Sequence, residues 1–111
     1  MKDICAWTDN VYKNNANGLI QYALEKPYEE KDKIIMYLKN SKVIAYAAGI
    51  AKDVFSGKSI QGSLAYMSDG IFEWRSDIIY YADKYNLKLD DSFIEYVLNK
   101  INEQFYNKST S

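Results

Sequence analysis

Apolar residues recur along the chain with two different periods, and the change of period outlines the fold. Over residues 3–24, Ile4, Trp7, Val11 and Tyr12 fall three or four apart, the spacing of one helical face. Asn14, Asn15, Asn17 and Gly18 interrupt it, and Leu19, Ile20, Tyr22, Ala23 and Leu24 continue it as a second short helix that Pro27 ends. The apolar runs Lys33–Leu38 and Val43–Ala48 are short and rich in β-formers. With the Asn40-Ser41 turn between them they predict a β-hairpin. Asp53–Gly62 is rich in turn residues, as expected of a loop or a twisted hairpin. Leu64–Met67, then Ser68-Asp69-Gly70, then Ile71–Trp74 predict a further hairpin, with Asp-Gly in a tight turn needing positive φ.

From Ser76 the helical period returns. Ser76 is a candidate N-cap for a helix from Asp77 to about Tyr85, and Asn86 can close it. A last helix carries Phe93, Val97, Leu98, Ile101 and Phe105 on one stripe, and Ser92 with Glu95 has the spacing of a capping box. The expected architecture is therefore α+β: a small antiparallel sheet of two hairpins packed against N- and C-terminal helices. Residues 1–106 form one domain, and 107–111 read as a frayed tail.

Charge changes this picture by its placement. The net charge is only −1, but residues 1–68 hold nine lysines against seven acids, and residues 69–103 hold eight acids against four bases. The acidic excess coincides with the densest aromatic stretch, DGIFEWRSDIIYYADKYNLKLDDSFIEYV, Asp69–Val97. Carboxylates among rigid aromatic rings suit contact with a basic protein surface and would repel a nucleic-acid backbone. Candidate partner contacts are Asp69, Glu73, Trp74, Asp77, Tyr80 and Asp83. Trp74 counts only if its ring faces outward, because Glu73 and Arg75 flank it on a strand and point to the other side.

Catalytic groups are scarce. The chain has no histidine, which excludes an imidazole base, Ser–His and Cys–His nucleophile pairs and histidine-containing zinc sites. Ser56-Gly57-Lys58-Ser59 resembles the end of a phosphate-binding loop, but Lys52 stands where the first glycine is required. Asp90-Asp91 sits at a helix start, where capping accounts for it, and Asp53 and Asp69 lie in turns that favour aspartate for backbone bonding. Neither a metal nor a cofactor is expected, and the chain reads as a non-enzyme. The single cysteine, Cys5, fits a small core residue and, with no apolar leader in MKDICAWTDN and no apolar run long enough to span a bilayer, predicts a cytoplasmic protein with no membrane contact.

The run DGIFEWRSDIIYYADKYNLKL, with FIEYV after it, resembles the C-terminal part of small bacterial immunity proteins of polymorphic-toxin and contact-dependent growth inhibition systems. The similarity rests on the Asp-Gly turn, the tryptophan, the Ser-Asp helix start and the paired tyrosines, and extends over roughly Lys33–Val97. The resemblance implies a cytoplasmic inhibitor that binds a cognate toxin domain. A nuclease toxin would present a basic cleft, which an acidic, aromatic surface could block. The alternatives are a small ligand-binding domain or enzyme using tyrosines and carboxylates, or a subunit of a larger assembly.

Overall fold

A computed structural model describes residues 2–110, with side chains to residue 103. Two one-turn helices, α1 (Thr8–Tyr12) and α2 (Ala16–Ile20), precede α3 (Lys31–Asn40), followed by β1 (Lys42–Tyr46), β2 (Ala65–Ser68) and β3 (Glu73–Arg75), then α4 (Ser76–Lys84) and α5 (Asp91–Thr110). The strands form one antiparallel sheet in the order β1-β2-β3. The α+β class expected from the sequence is present. No helix among the described residues is long and apolar enough to cross a membrane.

The two-hairpin sheet needs correction. Lys33–Leu38 is helix, not strand. A strand would place Ile34, Met36 and Leu38 on one face, yet Met36 is 64% exposed while Ile34, Ile35 and Leu38 are buried, the i, i+1, i+4 pattern of a helix. Asp32 in its first turn and Lys39 in its last suit the helix dipole. β1 consequently has no hairpin partner before it and pairs with β2, eighteen residues later in the chain, with Val43 opposite Met67, Ala45 opposite Tyr66 and a bulge between Val43 and Ala45.

The second hairpin, β2–β3, forms with a longer loop than a two-residue turn. Ser68 pairs with Glu73, and Asp69–Phe72 cross between them. Only Gly70 has positive φ. The Asp69 carboxylate makes the turn by accepting from the N–H groups of Ile71 and Phe72 at 3.0 and 2.8 Å. Lys2 then pairs in parallel with Phe72 and bonds to Ile71 and Glu73, which closes the sheet beyond β3.

Ser76 does not cap α4. Its hydroxyl accepts from the Ala65 N–H at 2.9 Å and so ties the helix start to β2. Asn86, at φ 53°, ends the helix as expected. Asp90 accepts from the Ala6 N–H at 3.1 Å, and the Trp7 indole N–H donates to the Lys88 carbonyl at 2.9 Å, so residues 2–7 are strapped to the α4–α5 linker. Helix α5 runs to Thr110. The Phe105 side chain lies outside the described residues. The core gathers Ile34, Ile35 and Leu38 of α3, Ile78, Ile79, Tyr81 and Ala82 of α4, Phe93 and Val97 of α5, Met67 and Trp74 of the sheet, and Ile4, Trp7 and Val11 of the N-terminal segment.

Candidate functional site

Helix α4 and the loop before β2 build a polar cluster around Asp53. Residues 51–60 form a small hairpin-like loop. Asp53 N–H donates to the Lys58 carbonyl, Ile60 N–H to the Ala51 carbonyl, and Gly57 N–H to the Asp53 carbonyl, each at 2.8 Å. Gly57 has φ 73°, so it serves the turn rather than a phosphate. The loop is held to α4 by Tyr81, whose hydroxyl accepts from the Val54 N–H at 2.9 Å and donates to the Lys52 carbonyl at 3.1 Å.

Asp53 sits at the centre, 1% exposed. Its Oδ1 accepts from the N–H groups of Phe55 and Ser56 at 2.7 and 3.2 Å. Its Oδ2 accepts from the hydroxyls of Tyr80 and Tyr85 at 2.6 and 2.5 Å. Lys84 Nζ lies 4.0 Å from Oδ2 and donates to Tyr80 Oη at 3.1 Å. Burial acts to raise the Asp53 pKa, but these four hydrogen bonds outweigh it and the pKa is lowered. Burial, and next the hydrogen bond to Asp53, push the Tyr85 hydroxyl up. With two donors on each oxygen the carboxylate is saturated, which makes it a clasp rather than a base awaiting a proton.

Beside the clasp, α4 and residues 60–64 border an open cleft of about 410 Å³. Asp77, Tyr80 and Asp83 line it together with Lys39 and Lys84. Three of the six residues expected at a partner surface are therefore brought together. Their availability differs. Asp77 is buried and held by Arg75 in a bidentate pair, Nε to Oδ1 at 2.8 Å and an Nη to Oδ2 at 2.6 Å, with the guanidinium 4.2 Å from the centre of the Tyr12 ring. Tyr80 is half-buried, with its hydroxyl committed to Asp53. Asp83 is exposed, with one oxygen 3.5 Å from Lys31 Nζ.

The other three lie elsewhere. Trp74 corrects the expectation of an outward anchor. It is 2% exposed, directly opposite Met67 on the helix-covered face of the sheet, and edge-on to Phe93 at 6.0 Å. Asp69 is engaged in its turn and accepts from Tyr37 Oη at 2.6 Å. Burial acts to raise its pKa, but the bonds from Tyr37, Phe72 and Ile71 lower it. Glu73 is half-buried in β3, opposite Ser68.

The clasp is hardly visible in the sequence. Its one visible sign is Asp53 ahead of a Ser-Gly turn. Tyr85 was hidden because five residues along a helix do not return to the same face. It reaches Asp53 because it is the C-cap and the chain turns left-handed at Asn86. Among the described residues no group of three or more Cys, Asp or Glu is placed to hold a metal ion. Comparison with protein-family models, with curated proteins and with solved structures finds no match to this chain.

Proposed function

We propose that this chain is an immunity protein: a bacterial, cytoplasmic inhibitor that binds a cognate toxin domain, a nuclease with a basic cleft, and covers its active site. The observation that carries the reading is the rim of the α4 cleft, where an aromatic ring and a carboxylate stand side by side on a rigid helix. Tyr80 is fixed by Asp53, and Asp83 is oriented beside Lys31. Contacts that are already ordered lose little conformational freedom on binding. A carboxylate at the surface can accept charge-assisted bonds from the lysines and arginines of a nuclease.

The contact set is accordingly narrower than the sequence suggests: Tyr80 and Asp83, with Glu73 at the far end of the sheet. A small-ligand site is the rival reading, but volume does not favour it. Three other surface depressions, of about 450, 560 and 560 Å³, are as large as the α4 cleft. Co-expression with the toxin encoded beside the gene tests the proposal. Growth rescue and co-purification are expected, with Asp83→Arg weakening binding at least tenfold. Failure of the native chain both to bind and to rescue would reject it.

A further inference from the structure

The sheet has one closed edge and one open edge. Beyond β3, Lys2 occupies the place of a further strand. Beyond β1 there is no strand among the described residues, and every residue of β1 is exposed. Val43, Ile44 and Tyr46 are 38, 43 and 74% exposed, and Ile50 just after the strand is 71% exposed. Val43 and Tyr46 stand opposite Met67 and Ala65, both buried, so they belong to the face that the helices cover. The cover stops short of β1. An apolar strand with an open edge and part-exposed faces promotes uncontrolled association unless something occupies it.

We propose that a second copy of this chain occupies it, with β1 pairing antiparallel to β1 across a two-fold axis. The bulge at Ile44 sets the register. It brings Val43 and Tyr46 onto one face, while Lys42 and Ala47 share the other through their pairing with Ser68 and Leu64. Pairing centred between Ile44 and Ala45 then places Val43 opposite Tyr46 of the second copy, and Lys42 opposite Ala47. This register keeps every pair on one face. The charges suit it as well: Lys42 is the only charged residue of the strand, and the two copies of it end up about 17 Å apart, five residues along the strand, so no like charges face each other. The interface is apolar on both sides because both sides are the same strand. A copy of the chain is also present whenever the chain is, whereas a partner met only on encounter would leave the strand bare until then.

Sedimentation equilibrium of the full chain tests the proposal. The expected mass is twice the 12.9 kDa of the chain. Tyr46→Lys and Val43→Lys should each raise the dimer dissociation constant at least tenfold and remove the rise of the urea midpoint with protein concentration that a dimer shows. Ile20→Lys, at an exposed site on α2, should leave the dimer intact. Under mild oxidation the Val43→Cys/Tyr46→Cys double variant should crosslink between copies. Val43→Cys alone should not, because its two copies sit about 10 Å apart in this register. A monomer at all concentrations, or a dimer untouched by Tyr46→Lys, would overturn the proposal whatever the outcome of the toxin experiment.

Discussion

Replacing Asp53 by alanine removes one acceptor group and strands four donors. Hydrogen bonds to a charged group contribute about 1.5–3 kcal/mol each. The Tyr80 and Tyr85 hydroxyls lie on half-buried residues and regain water, so their share is discounted. The N–H groups of Phe55 and Ser56 lose the contact that holds the loop closed. The expected destabilisation of Asp53→Ala is about 3–4 kcal/mol. Urea unfolding followed by the fluorescence of the buried Trp7 and Trp74 measures it. With a slope of about 2 kcal/mol per M, the midpoint should fall by roughly 1.5–2 M. Tyr80→Phe and Tyr85→Phe should each cost about 1–1.5 kcal/mol, and each should lose most of that cost in the Asp53→Ala background. The pH dependence supplies a second readout. The Asp53 pKa is lowered from its ordinary 3.8, so the stability it contributes is present in full above that value and is lost as pH falls through the lowered folded value. Asp53→Asn should therefore flatten part of the acid unfolding limb below about pH 4. A loss under about 1 kcal/mol in Asp53→Ala, or an acid limb unchanged in Asp53→Asn, would refute the clasp.

Three further substitutions probe the placements that depart from expectation. Arg75→Leu leaves the buried Asp77 carboxylate without its bidentate partner and should cost about 3–5 kcal/mol, read as a fall in the urea midpoint. Trp74→Ala should cost about 3–5 kcal/mol and remove much of the near-ultraviolet circular dichroism, whereas a surface tryptophan would do neither. Gly70→Ala should cost about 1–3 kcal/mol through backbone strain alone, since φ is +99° and a Cβ there meets no atom within 4 Å.

The helix at α4, the positive φ at Gly70 and the core positions Phe93 and Val97 were legible because each rests on a local rule, period or turn residue. Lys33–Leu38 was not, because a six-residue apolar run fits either period until Met36 is known to be outside. Nor was the pairing of β1 with β2, which depends on a loop of eighteen residues folding back. The aromatic stretch read as one surface because alternation on β3 leaves open which face is inward. Glu73 and Arg75 are half-buried and Trp74 is inside, since α5 brings Phe93 to that side.

Part of the acidic excess of residues 69–103 is engaged within the fold and part of it stays exposed. Asp69 takes the Tyr37 hydroxyl, Asp77 takes Arg75 and Asp90 takes the Ala6 N–H, while the exposed Asp91 pairs with Lys88 at the surface at 2.8 Å. Lys31, from the basic half, crosses to α4 and reaches Asp83 and the Asn86 side chain. These pairings rank the candidate contacts by what releasing them would cost. Separating Asp77 from Arg75 would uncover a buried charge, at about 3–5 kcal/mol, more than a single new contact returns. Separating Asp83 from Lys31 costs under about 1 kcal/mol, because water covers the Asp83 carboxylate and Lys31 Nζ keeps its bonds to the Asp83 carbonyl and Asn86 Oδ1 at 2.6 and 2.7 Å. A cation on a partner can therefore take Asp83 from Lys31 at almost no net cost, while Asp77 stays with Arg75. Of the carboxylates lining the α4 cleft, Asp83 alone is free to change hands, so a single charge reversal at that position is the sharpest test of whether the cleft rim meets a basic surface.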